Sequence, residues 1–134
     1  MKGKAAFVSD FDGTITGDDF FAYASEAFFD EKSLTPWRRF KKGEITHFEA
    51  LKEMFEKIRV SCGEFNAFMD KIPVDGGFAE GARICREKNM PVYICSVGCD
   101  YYINYLIGNI IEKYGVTLVA NRGSYSPETG LVMQ

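Results

Sequence analysis

Residues 5–12 of this chain, Ala5-Ala6-Phe7-Val8-Ser9-Asp10-Phe11-Asp12, run apolar and then stop on two carboxylates one residue apart, with Gly13-Thr14 directly behind. A bulky apolar run of this kind reads as a buried strand and Gly13-Thr14 as its exit turn. In an open α/β sheet that carboxyl end is where ligands bind. Alternation along the strand sends Asp10 and Asp12 to one side and Phe11 to the other. Two acids at the end of a buried strand cannot both stay ionised and unpaired, because desolvating a carboxylate is costly without a cation or donors. Asp10 and Asp12 are therefore candidate ligands of a hard divalent cation such as Mg2+, which takes oxygen donors.

Asp10-Phe11-Asp12-Gly13-Thr14 resembles the first motif, Asp-x-Asp-Gly-Thr, of the haloacid dehalogenase (HAD) superfamily of phosphatases. The resemblance implies that Asp10 is the nucleophile that attacks phosphorus to form an aspartyl-phosphate. It implies that Asp12 is the acid/base that protonates the leaving group and activates water, and that Gly13 and Thr14 border the phosphate. Chemically this is carboxylate nucleophilic catalysis with a metal neutralising the phosphate. Without the resemblance, the same five residues are an acidic turn after a strand.

At 134 residues, 46% of them hydrophobic and 26% charged, the chain can bury one core and is expected to form one compact α/β domain with a subdomain. A formal net charge of -3 without a basic block argues against nucleic-acid binding. No apolar run approaches the roughly 20 residues of a membrane span, and there is no signal-peptide pattern, so a cytoplasmic protein without membrane association is expected. Cys62, Cys85, Cys95 and Cys99 form no Cys-x-x-Cys pair and the single histidine, His47, is remote from them in sequence, which lacks the spacing of a zinc site. Reduced, mostly buried thiols are expected.

From Thr16 to Ile72 the pattern is helical. Asp18-Asp19 caps a very aromatic helix, Phe20 to Phe29; Pro36 opens another; His47 to Arg59 carries Phe48, Leu51, Met54, Phe55 and Ile58 at helical spacing; Ser61 to Ile72 is a fourth. In HAD phosphatases helices inserted at this point form a cap, so the resemblance divides the chain into a Rossmann-like core, 1–15 and 73–134, and a small helical cap, 16–72. Arg38, Arg39, Lys41 and Lys42 would then face substrate, or form a solvated helix face.

A loop and helix over residues 74–89 lead to a second strand, Pro91 to Ser96, followed by Val97-Gly98-Cys99-Asp100 and a helix from Tyr101 to Lys113. A hydroxyl at a strand end, a glycine and a helix start capped by Asp100 offer donors to an anion. Ser96-Val97-Gly98-Cys99-Asp100 also resembles the second HAD motif in the phosphoserine phosphatase and methylthiopentenyl-phosphate phosphatase branch, which implies phosphate binding by Ser96, Val97 and Gly98. A third strand, Val116 to Asn121, and a hairpin, Gly123–Ser126 with Gly130–Met133, complete the parallel-sheet core.

HAD phosphatases also carry a Lys that stabilises nucleophile and phosphoryl group, and a later acidic pair that completes the metal site. After Ser96 the only lysine is Lys113, inside a helix, and the only acids after Asp100 are Glu112 and Glu128. The expected activity is an impaired Mg2+-dependent phosphomonoesterase acting on a small phosphorylated metabolite. The alternative is a non-catalytic phosphate-binding or assembly protein derived from one. Truncation is one account of the missing motifs; a homodimer formed through an exposed sheet edge or a swapped hairpin is another.

Overall fold

The computed structural model describes residues 4–134; residues 1–3, assigned above to the core, lie outside them. In chain order the elements are β1 (Phe7–Ser9), α1 (Phe20–Phe28), α2 (Thr35–Lys41), α3 (His47–Phe55), α4 (Cys62–Asp70), α5 (Gly76–Glu87), β2 (Val92–Cys99), α6 (Asp100–Tyr114), β3 (Thr117–Asn121), β4 (Gly123–Ser126) and β5 (Gly130–Met133). The architecture is α/β, as expected.

β1, β2 and β3 form a parallel sheet in that order, with Val8 opposite Tyr93 and Cys95 opposite Val119, while β4 and β5 pair as an antiparallel hairpin. Sequential parallel strands joined by right-handed crossovers place α5 and α6 on one face. Val92 and Ile94 are buried toward that face. On the other face Val8 is 62% exposed and Val119 55% exposed, and Cys95 between them is exposed too.

This corrects the expectation of a buried first strand. β1 is three residues long, stands at the edge of the three-stranded sheet, and none of its residues is buried. The thiols depart from expectation for a related reason. Cys62 and Cys95 are exposed, Cys85 is half-buried, and only Cys99 is buried, because Cys62 opens α4 and Cys95 points to the uncovered face. Burial pushes the Cys99 thiol up to about 12, so it is inert.

Local signals set the helix ends. Asp19 caps α1 by accepting from the Ala22 N–H at 2.7 Å. Thr46 and Glu49 form a capping box on α3, and Asp75 caps α5. Asp100 does not cap α6. Its Oδ1 accepts instead from the Gly123 N–H at 2.8 Å, fastening the hairpin to the sheet. β2 also runs past Ser96 to Cys99, through a register shift that lets Cys99 pair with Asn121.

The chain leaves the sheet for α1 and returns from α4 along two adjacent paths. Gly17 N–H donates to Pro73 O at 3.2 Å, Asp75 N–H donates to Ile15 O at 2.7 Å, and Thr16 bridges Val74. One continuous apolar cluster nevertheless joins Phe20, Phe55 and Phe65 of the helices to Ile94 and Tyr102 of the sheet side and Leu131 of the hairpin. Each such side chain contributes about 1.5–3 kcal/mol by leaving water, so the four helices are held to the sheet by a common core.

Candidate functional site

Asp10 follows β1 directly and its carboxylate is exposed, with Oδ1 accepting from the Phe11 N–H at 2.8 Å. Phe11, pointing the other way, is fully buried, as alternation requires. Asp12 is anchored from three directions. Its Oδ1 accepts from the Phe20 N–H at 2.8 Å; its Oδ2 accepts from the Tyr102 hydroxyl at 2.8 Å and from Ser96 Oγ at 3.2 Å. Ser96 Oγ in turn accepts from the Gly98 N–H at 3.0 Å. The ends of β1 and β2 and the starts of α1 and α6 thus meet on a single carboxyl group.

Burial raises the Asp12 pKa above the ordinary carboxylate range, against the pull of its three donors, and the charge of Asp19 adds to the rise. A carboxyl lifted in this way keeps its proton closer to neutral pH, which suits a general acid. The Tyr102 phenol is pushed well up by its own burial and then by Asp12, so it stays a hydrogen-bond donor.

Sequence reasoning missed Tyr102. It lies in the first turn of α6, where a side chain can reach the strand ends, but nothing in the local pattern separates it from Tyr101. Gly98 carries a trace of it: a Cβ there would stand 1.6 Å from the Tyr102 hydroxyl oxygen, so only glycine lets the tyrosine pass.

Asp10, Asp12, Val97 and Gly98 line one cavity of about 200 Å³, whose facing wall is made by side chains of α1, α2 and α3. Gly13 and Thr14 do not line it. Gly13, at φ 74°, donates its N–H to Thr16 Oγ1 at 3.1 Å, and Thr14 N–H donates to Phe11 O at 3.2 Å. Both N–H groups are engaged in shaping the turn, and the two residues border a separate depression beside Pro73 and Val74. Arg38, Arg39, Lys41 and Lys42 are absent from the cavity wall, whereas His47 is on it.

Among the described residues no group of three or more His, Cys, Asp or Glu converges as a metal cage. Mg2+ commonly takes one or two carboxylates, keeps several waters and shares the substrate phosphate. The exposed carboxylate of Asp10 fits such a shared ion, while both oxygens of Asp12 already accept hydrogen bonds. No lysine or arginine lines the cavity among the described residues. Lys113 lies on α6 with its ammonium 5.4 Å over the Tyr114 ring.

Comparison with solved structures gives the architecture its relatives. A substrate-bound phosphoserine phosphatase superposes on 99% of this chain and 64% of its own, with a TM-score of 0.68 and 17% identity. An HAD family hydrolase from Salmonella enterica serovar Typhi superposes on 96% of this chain and 44% of its own, with a TM-score of 0.70 and 14% identity. The fold is that of the HAD hydrolases.

No family model matches the chain. In sequence it is similar to the 2-hydroxy-3-keto-5-methylthiopentenyl-1-phosphate phosphatase of Bacillus cereus strain B4264, 26% identical over 106 residues, which are 78% of this chain and 48% of the relative. The corresponding protein of Bacillus anthracis strain CDC 684 matches to the same extent, 26% over 106 residues. The chain spans about half the length of the curated relatives it matches, 48%. Asp12, three residues past the end of β1, and Ser96, in the C-terminal half of β2, are in contact through a hydrogen bond of 3.2 Å. Among the described residues no helix is long and apolar enough to cross a membrane.

Proposed function

We propose that this chain captures the phosphoryl group of a small phosphorylated metabolite and works as a Mg2+-dependent phosphomonoesterase through an aspartyl-phosphate on Asp10. The observation that carries the reading is the pairing of an exposed carboxylate on Asp10, held only by the neighbouring Phe11 N–H, with a buried, thrice-hydrogen-bonded one on Asp12. The first is free to attack; the second is fixed and lifted toward a protonated state.

In the first half-reaction an Asp10 oxygen bonds to phosphorus, the ester P–O bond breaks, and Asp12 gives its proton to the departing oxygen. In the second, Asp12 takes a proton from water, the water oxygen bonds to phosphorus, and Asp10 is released with inorganic phosphate. Asp10, together with the substrate phosphate, would hold Mg2+, which would supply charge neutralisation there. Val97 and Gly98 border the transferring group, while Ser96, which the sequence placed there too, stands off the cavity wall and holds Asp12 through its hydroxyl. Residues 16–72 serve as the cap over a core of 1–15 and 73–134.

A second reading, a phosphate-binding or assembly protein, is favoured by the lack of lysine or arginine on the cavity wall among the described residues. Loss of one preorganised electrostatic partner slows catalysis by roughly 10²–10³-fold, so turnover by these 134 residues should be slow beside that of a complete HAD phosphatase. This second reading includes a homodimer formed through the sheet edge or an exchanged hairpin, measurable by sedimentation across a concentration series.

Hydrolysis of p-nitrophenyl phosphate with and without Mg2+, beside Asp10→Asn, separates the two. Slow, Mg2+-dependent turnover abolished by Asp10→Asn supports the enzyme. Vanadate binding without turnover supports the binding protein. Absence of both overturns the phosphoryl site altogether.

A further inference from the structure

The floor of the cavity includes a stretch of backbone that has left its ladder. Between Cys95, which pairs with Val119, and Cys99, which pairs with Asn121, β2 advances four residues while β3 advances two. Ser96, Val97 and Gly98 fall inside this irregularity, and Val97 and Gly98 line the cavity opposite its helical ceiling. A bulge of this kind strips backbone groups of their ladder partners and re-aims the strand, so each freed group needs another partner or water.

Side chains supply those partners. The Asn121 side-chain amide donates to the Val97 carbonyl oxygen at 2.8 Å, and the Gly98 N–H donates to Ser96 Oγ at 3.0 Å. These two backbone groups belong to one peptide unit, whose C=O and N–H point in opposite directions in the trans plane. That plane is therefore gripped at both ends. Ser96 Oγ donates its own proton to Asp12 Oδ2 at 3.2 Å, so a chain of bonds that starts on β3 ends on the Asp12 carboxyl. Asn121 is itself fixed: its backbone pairs with Cys99, and two residues on, the Gly123 N–H donates to Asp100 Oδ1 at 2.8 Å.

We propose that Asn121 is a positioning residue of the phosphoryl site. Standing off the cavity wall, it sets the orientation of the Val97–Gly98 peptide that borders the transferring group and, through that peptide, the direction of the Ser96 hydroxyl toward Asp12. This role rests on the phosphomonoester reading given above. An amide suits the place because its NH2 donates, whereas the carboxylate of an aspartate would set oxygen against oxygen. The bond from Asn121 to Val97 is exposed, so water replaces a lost donor at little cost to stability. Water does not replace the fixed direction of the peptide plane, and orientation is what a reacting group needs from its surroundings.

The test compares the parent with Asn121→Ala, Asn121→Asp and Ser96→Ala in the presence of Mg2+. Methylphosphonate and vanadate are titrated by calorimetry, so binding is read without turnover. Amide exchange is followed by NMR at Gly98 and, in the regular part of β2, at Tyr93 and Ile94. Asn121→Ala is expected to weaken vanadate binding about three- to tenfold, the fold-change of one net hydrogen bond, and to speed exchange at the Gly98 N–H by a similar factor. Asn121→Asp should do more, and Tyr93 and Ile94 should exchange as in the parent. Added to Ser96→Ala, Asn121→Ala should cost little further affinity, because both act through the same peptide.

Unchanged affinity, or unchanged exchange at Gly98, in both Asn121 variants overturns the positioning role while leaving the phosphoryl site intact. So does a loss of protection at Tyr93 and Ile94 equal to that at Gly98, since Asn121 would then hold the sheet rather than the peptide. If the parent binds neither methylphosphonate nor vanadate, the phosphoryl site itself fails and the positioning role with it.

Discussion

The floor of the cavity is built from groups that hold one another in place, and its ceiling from groups that hold nothing polar. On the floor, Asp12 receives Phe20 N–H, Tyr102 and Ser96 within 2.8–3.2 Å, so the change of one member is felt by the others. On the ceiling, Phe21, Trp37 and His47 touch through ring faces and edges. Contacts of that kind tolerate replacement by other apolar groups far better than a hydrogen-bonded carboxyl tolerates loss of a donor. The lesson is a division of labour: the strand ends fix the chemistry, and the helical segment is free to vary what the chemistry acts on.

The sharpest way to break this comparison is at Asp10. Asp10→Asn should lower phosphomonoester turnover by at least about 10³-fold with little effect on the folded state, since the side chain is exposed; a single-turnover assay decides. Activity that survived would mean that the floor's free carboxylate is not the nucleophile.

Next is Gly98→Ala, where the new methyl would stand 1.6 Å from the Tyr102 hydroxyl oxygen. Overpacking of this sort costs about 1–3 kcal/mol, and the tyrosine must leave Asp12 to relieve it. Denaturant titration should record the loss, and combining it with Tyr102→Phe should recover part, since the clashing oxygen is then gone. Strict additivity of the two changes would deny that they share a contact.

Asp12→Asn tests the floor through pH. Because burial raises the folded-state pKa of Asp12 above its unfolded value, the stability linked to this group is fully present below the unfolded pKa. It is lost as pH rises through the folded pKa. The parent should therefore weaken relative to Asp12→Asn on going from below pH 4 toward neutral, as seen by denaturation at a series of pH values. A difference that stayed flat, or ran the other way, would mean that Asp12 is not lifted.

The smallest effects belong to the outside of the ceiling. Arg38→Ala removes an exposed pair with Glu31, within about 0–1 kcal/mol in stability, and phosphonate affinity should not change. A marked loss of affinity would place that arginine in the cavity after all. Mg2+ alone should bind weakly, because Asp10 is a single free carboxylate, and calorimetric binding in the micromolar range without substrate would contradict this.

Much of this was legible in the residues. Caps and periodicity are local, so Asp19, Pro36 and Ser61 located helix starts, and alternation set Phe11 and Asp10 on opposite sides. What was not legible depends on partners distant in sequence. Asp100 has the composition of a cap, yet it bonds Gly123 across the fold. Tyr102 gains its role only because β2 and α6 carry it to Asp12, 90 positions away. The exposure of Val8 and Cys95 likewise follows from what lies against the sheet, which the apolar run of β1 cannot report.

The adjacent exit and return of the helical segment has a consequence for how such a molecule can change over generations. Since Gly17 and Pro73 are one hydrogen bond apart, 3.2 Å, chain connectivity would let the intervening helices lengthen, shorten or be exchanged without altering the pairing of β1 with β2. The shared apolar cluster forbids simple deletion, because Ile94 and Leu131 would lose their cover. Replacement is therefore open where removal is not: a graft is accepted if it brings its own hydrophobic underside, and the repertoire of substrates can be rewritten by cassette while the strand-end carboxylates stay where they are.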